Sequence, residues 1–484
     1  MNDRDRAASH ANWNPMVLDT DAPSVTSPSP ASASVAKFIH GLRFLSAPEE
    51  VRRETRLCLL DTLGIALAGT QLPIARIIRR FVARHLAVGE GRGARMIRDG
   101  RRVSVPGAAM AGAAIIDGFD GHDGHPLCKG HAGVTVVPAT LAFADALALN
   151  DWAEFLTLIL LGYEIGTRAG IALHATAPTL HSSGAWNALA AAAIGSRVLK
   201  LSHGQTAHAL GIAEYYGPRS RLMRIIEHPT MVKDGSTMGA FAGASAAYLA
   251  EDGFTGAPAD TIELERLPAS VIPVAAARDP SVWSDLGSRW RILEQYRKPD
   301  PTCRWTQPAT EAIFSLRSTH PGLTHADVTD VEVETFHEAV SLSCREPTET
   351  DAAQYSLPFV VGAAIVHGRL TVAEVAGAGL HDDAVLRLSR IVKLVERGEF
   401  SARFPAERWA NVRLTLRDGT ILDSGPHTTR GDPATPLSLG ALSEKFRTNA
   451  LAALDERSAQ RIADQILDSK SDGELSALLD LVLT

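Results

Sequence analysis

Gly239-Ala240-Phe241-Ala242-Gly243-Ala244-Ser245-Ala246-Ala247 is built almost wholly from residues with little or no side chain. Two further stretches share this character, Gly107-Ala108-Ala109-Met110-Ala111-Gly112-Ala113-Ala114 and Ala188 to Ala193. Alanine is the strongest helix former, and small side chains let helix axes approach closely. These segments are therefore expected to be central helices of a tight bundle. From Ser46-Ala47-Pro48-Glu49, read as a capping box that opens a helix to Gly69, helical patterns follow one another to about Gly253. Past Gly256 the pattern changes. Val328 to Phe336 and Val412 to Arg417 alternate as strands with one wet face, and Asp418-Gly419 marks a hairpin. Helical patterns over Ala352 to His367 and Ala384 to Val395 lie between them, and helical periodicity returns after Leu437. The expected fold is mainly α: a large, discontinuous helical domain (35–259 and 427–484) and a smaller α+β lid domain (260–426), after a disordered leader over 1–34.

The chain has 484 residues, enough for two domains, and a formal net charge of −7. No basic face for nucleic acid is implied, so an anionic ligand needs a local cationic pocket. The four cysteines, Cys58, Cys128, Cys303 and Cys344, form no ladder of spacings, which suggests reduced thiols and a cytoplasmic setting. The apolar run Phe155 to Leu161 reads as a buried helix turn, too short for a membrane span.

Four patches carry possible chemistry. Phe119 to His131 packs Asp120, His122, Asp123, His125, Cys128, Lys129 and His131 into one loop. Acid–base work, a metal site and a plain polar cap all fit such a loop, but its spacings match no closed zinc motif, and no metal is expected. His181-Ser182-Ser183-Gly184 opens an alanine-rich helix, where free N–H groups favour an anion. Lys233 opens another at the unfavourable end of the dipole, which hints at a ligand anion. Tyr296 to Trp305 carries Arg297, Lys298, Cys303 and Arg304 on a loop stiffened by Pro299 and Pro301, a carboxylate-binding candidate.

In this order the patches resemble the MmgE/PrpD family. Further matching pieces are Leu60-Asp61-Thr62-Leu63-Gly64, Gly162-Tyr163-Glu164-Ile165-Gly166, Gly253-Phe254-Thr255-Gly256 and Tyr355-Ser356-Leu357-Pro358-Phe359. The resemblance implies a helical large domain, an α+β lid, a cleft site between them, and a lyase that needs no cofactor and forms a homodimer. It places Asp120, His131, His181, Lys233 and Lys298 at the site, with His125 in the same loop. There are departures. Gly124 stands where many relatives carry Thr or Ser, Phe359 where Tyr is frequent, Cys303 where some decarboxylases have His, and Gln307 in place of a common His.

The residue chemistry is consistent with this resemblance. Taking a proton α to a carboxylate needs a base, and cations must hold the charge that develops. The expected arrangement has His131 and His181 as the acid–base pair, oriented by Asp120. Lys233, Lys298, Cys303, Arg304 and His125 would bind a small di- or tricarboxylate. The expected reaction is water elimination as in 2-methylcitrate dehydratase. Decarboxylation or epimerisation of a related polycarboxylate is the alternative, and a ligand-binding protein without turnover is a third.

Overall fold

Ser29 caps the first helix: its side-chain oxygen accepts the Ser32 N–H at 3.1 Å, and Pro30 supplies a helical φ in the first turn. Helix α1 (Pro30–Gly41) follows, so residues 30–34 are helical and not part of a leader. The computed structural model describes residues 29–266, 281–468 and 474–484; the rest of the expected leader lies outside them.

Helix α2 (Glu49–Gly69) begins without the expected capping box. Ser46 closes a single tight turn, and Glu49 and Glu50 instead place negative charge at the helix N-terminus. Next come α3 (Pro73–His85), the ribbon β1 (Ala94–Arg95) and β2 (Arg102–Val103), then α4 (Val105–Gly118) and α5 (Gly133–Ala146). Helix α6 (Trp152–Thr176) is started by the Asp151 carboxylate, which accepts the Ala153 and Glu154 N–H groups. The run Phe155 to Leu161 thus belongs to a 25-residue helix that is long and apolar enough to cross a membrane, but its apolar stretch is buried inside the protein. Helices α7 (Gly184–Val198), α8 (His203–Tyr216), α9 (Met223–Glu227) and α10 (Ser236–Glu251) complete this part.

Helix α7 packs on α6, α8 and α10, and α10 packs on α4. The small-residue segments lie at these contacts. A Cβ at Gly239 would come within 2.6 Å of the Gly184 carbonyl, and one at Gly243 would run into the Ala188 carbonyl. The two backbones therefore touch, as the composition suggested. Gly243→Ala is expected to cost about 3 kcal/mol, because helix backbones cannot give way as a side chain does; a denaturation midpoint equal to wild type would refute this close packing.

The second core is built on a four-stranded sheet of order β4-β3-β5-β6. Its strands are β3 (Val328–Thr335), β4 (Val392–Glu396), β5 (Trp409–Leu416) and β6 (Ile421–Thr428). β3 runs parallel to β4 and antiparallel to β5, and the β5–β6 hairpin turns at Gly419, whose φ is +87°. Val331, Val333, Val412 and Leu414 pack beneath Ile313, Leu316 and Ile365 from the helices Gln307–Thr319 and Leu357–His367. Two helical expectations are corrected here. The segment 384–395 divides into the helix Asp383–Ile391 and strand β4. The segment 352–367 breaks at Tyr355, because the Ser356 hydroxyl caps a new helix through the Phe359 N–H at 3.0 Å. After the sheet, the helices Leu439–Ala450 and Glu456–Leu467 pack back on α2, so the architecture is mainly α with a small mixed sheet.

Candidate active site

The Asp120–His131 loop leaves α4 and is fastened to a distant segment by a two-way backbone pairing. The Gly124 N–H donates to the Tyr296 carbonyl at 3.0 Å, and the Tyr296 N–H donates to the Gly124 carbonyl at 2.7 Å. This brings Lys298 beside Asp120: Nζ donates to Oδ1 at 2.6 Å and to the Asp120 carbonyl at 3.0 Å. Both residues are buried, so their charges compensate one another in a poorly solvated place. Asp120 Oδ2 is buried without a partner.

His131 is fixed by three groups. The Ser183 hydroxyl accepts its N–H at 2.9 Å, Asn187 donates to its carbonyl at 2.5 Å, and Nδ1 lies against the Asp123 carbonyl. A carbonyl can only accept, so Nδ1 carries the proton and Nε2 presents a lone pair. Burial, followed by the Lys298 charge, lowers the ring to about 4, which keeps it neutral near pH 7. Ser183 also donates to Asp234, whose Oδ1 is buried and unpartnered. Burial raises the Asp234 carboxyl well above the ordinary range, so it holds its proton toward neutrality. The backbone at Lys233 and Gly235 is left-handed, with φ of +48° and +69°, and this turn places Asp234 just before α10.

Asp120, His131, Lys298, Asp234 and Tyr296 line one cavity of 230 Å³. It lies between the helical body and the sheet unit, and the latter contributes Trp305, Tyr355, Phe404 and Arg408. Six of the sequence-predicted residues meet there: Asp120, His125, His131, Lys298, Cys303 and Arg304. His125 Nδ1 accepts the Leu127 N–H at 3.2 Å, so Nε2 donates to Glu294 at 3.0 Å. Arg304 is engaged by Asp432 at 2.6 Å and Gln307 at 2.7 Å, and it covers the Tyr296 ring at 4.6 Å. Burial pushes the Cys303 thiol up to about 12, which suits a packing thiol and not a nucleophile.

The remaining two are placed otherwise. Lys233 is buried and turned toward the sheet unit, with Nζ 3.1 Å from Asp351, hydrogen-bonded to Gln354 and 5.2 Å from the Tyr355 ring centre. It stands one side chain behind the cavity wall and does not line it. His181 is partly exposed; its backbone N–H lies 3.0 Å from His174 Nε2, and only its neighbour Leu180 reaches the cavity. No contact joins His131 to His181 in this geometry: His181 does not line the cavity, and its backbone N–H and carbonyl both lie against His174 Nε2.

Asp234, Tyr296, Tyr355 and Arg408 reach the cavity without having been singled out. Tyr296 opens the loop that carries Lys298, and Asp234 adjoins Lys233. Arg408 follows Phe404-Pro405-Ala406-Glu407 with no spacing signal. Gly124 has a structural reason: a Cβ there would strike the Tyr296 ring and hydroxyl. Tyr296 thus occupies space that a Thr or Ser at 124 would need. Phe359 is wholly buried in a satellite core away from the cavity, while Tyr355 supplies a phenol at its wall.

Asp120, His122 and His131 present ligand atoms within 4.8 Å of one another, the one such group among the described residues. His122 is buried with no hydrogen bond to either ring nitrogen, Nε2 lies 3.9 Å from Asp117 Oδ1, and its ring meets that of His131 edge-on at 4.3 Å. The Lys298 ammonium already supplies positive charge to Asp120, so a divalent cation there would bind against repulsion.

Residues 33–272 match the MmgE/PrpD N-terminal domain and residues 301–469 the MmgE/PrpD C-terminal domain. The chain belongs to the MmgE/PrpD family. Among its curated relatives, the cis-aconitate decarboxylase-like protein oryM of Aspergillus oryzae is 23% identical over 93% of this chain and 97% of that protein. The cis-aconitate decarboxylase of Aspergillus terreus is 22% identical over 90% of this chain and 92% of its own length. The human cis-aconitate decarboxylase is 24% identical, covering 86% of this chain and 87% of that enzyme. The two family domains meet at the cavity holding Asp120, His131 and Lys298.

Proposed function

We propose that the protein is a lyase acting on a small polycarboxylate, by proton abstraction α to a carboxylate and loss of water in the manner of a 2-methylcitrate dehydratase. The observation that carries this reading is the neutral His131 ring: Nδ1 is held by the Asp123 carbonyl, and Nε2 makes no hydrogen bond among the described residues. His131 Nε2 takes the α proton, and the electron pair forms the C=C bond as the β C–O bond breaks. The departing hydroxide takes the proton of the Asp234 carboxyl and leaves as water. Solvent carries the imidazolium proton back to Asp234. Lys298 neutralises a substrate carboxylate and the negative charge that develops beside it as the α proton leaves, and Asp120 holds Lys298 in place. Lys233 acts by positioning Tyr355, and His181, which does not line the cavity, takes no part in the step.

Base and acid with pKa values pushed apart by different surroundings suit this division of roles. The sign of the pH dependence follows. Protonation removes the base below about pH 4, and ionisation of Asp234 removes the acid on the alkaline side, so kcat/KM is bell-shaped.

Decarboxylation is the second reading, favoured by the names of the relatives. It starts by carbon–carbon cleavage and calls on the Asp234 proton more than on a free base. Incubation with 2-methylcitrate, citrate and cis-aconitate separates the two. Alkene absorbance from the hydroxy acids with no CO₂ is expected; CO₂ from cis-aconitate without water loss would shift the assignment. Inactivity on all of them, with no uptake of solvent deuterium, would end the lyase reading.

A further inference from the structure

Away from Asp120 the cavity changes character. Leu222, Ile225 and Ile226, in and just before α9, form its wall together with Trp305, Phe404 and Pro405. A compact tricarboxylate has no surface that profits from such a wall, because carboxylates lose hydration against it without gaining a partner. Within this lining lies Arg408, only 8% exposed, with Nε buried and unpartnered. Among the described residues no carboxylate pairs with it. The charges near it are themselves cationic: Lys129, also without a carboxylate partner among the described residues, and Arg304, which Asp432 engages. Buried guanidinium groups are ordinarily paired, and two unpaired cations lining one cavity repel each other until an anion joins them.

We propose that the substrate is an amphipathic polycarboxylate with an alkyl substituent longer than methyl. One carboxylate is held at Lys298 and a second at Arg408, with Lys129 beside it. The alkyl chain lies against Leu222, Ile225, Ile226 and Phe404. This deepens the lyase reading, and its reaction rests on that reading, but the binding preference stands or falls by itself.

The test is calorimetric titration of the full chain with citrate and with 2-methyl-, 2-butyl- and 2-hexylcitrate, turnover being followed separately. Affinity is expected to rise about fourfold per added methylene until the wall is covered. Ile225→Ser flattens that rise, lowering the gain per methylene toward none. Arg408→Gln weakens every member of the series about 10- to 100-fold, in line with losing a charge-assisted hydrogen bond, and Arg408→Lys restores part of it. Affinity that is flat or falls with chain length overturns the proposal, as does an Arg408→Gln protein that is folded by circular dichroism and binds citrate normally. Chain-length-dependent binding without water loss would sink the dehydratase reading and leave this one standing. Water loss from 2-methylcitrate with flat affinity would do the reverse.

Discussion

His131→Gln lowers kcat by about 10²- to 10⁴-fold, the usual worth of a positioned general base. The substitution keeps a side chain able to donate to the Asp123 carbonyl, so the loop held by Ser183 and Asn187 stays in place. What it removes is the lone pair on Nε2. KM therefore changes little, and exchange of the substrate α proton with solvent deuterium stops together with turnover. His181→Ala is the matching comparison: since that ring does not line the cavity, it costs much less than His131→Gln. Steady-state kinetics on the two variants, with deuterium exchange measured by mass spectrometry, decide the matter. Equal losses would restore the two-histidine scheme that the sequence alone suggested.

Lys298→Met costs stability and affinity together. The ammonium is buried, 2.6 Å from Asp120 Oδ1, and the other oxygen of that carboxylate already has no partner. Removing the cation leaves an isolated buried charge, which destabilises by about 3–5 kcal/mol when one member of such a pair is lost. The double variant Asp120→Asn/Lys298→Met recovers most of that stability, because neither charge is stranded. It does not recover ligand affinity, because the carboxylate still lacks its cation. Urea denaturation and calorimetric titration of the three variants separate the two effects. A double variant as unstable as the single one would show that Asp120 is not the partner that matters.

These two residues also show how far the sequence reaches. Asp120, His131 and Lys298 were legible because titratable groups are crowded around them and because prolines stiffen the loop that carries Lys298. Their meeting was not legible: it depends on the Gly124–Tyr296 backbone pairing, which joins distant segments and leaves no local pattern. Lys233 was legible as a cation near a helix start, but the helix begins at Ser236, and the partners of Lys233 are Asp351, Gln354 and Tyr355 across the domain boundary. An unusual charge position shows that a partner exists without showing which one. Asp234, the neighbouring residue, reaches the cavity instead, because the left-handed backbone at Lys233 and Gly235 turns it there.

By itself the sequence determined the class of fold and the segments that meet at the candidate site. Small residues in helical runs require close helix contacts, alternation in the second half requires a sheet, and both are local properties of the chain. Tertiary structure alone decided the protonation states and the membership of the site. Burial disfavours the charged forms, so His131 is held neutral and Asp234 keeps its proton toward neutrality, and burial is a property of the assembled cavity. Arg408 enters for the same reason: only the folded chain shows it buried in the cavity lining with Nε unpartnered and no carboxylate beside it among the described residues.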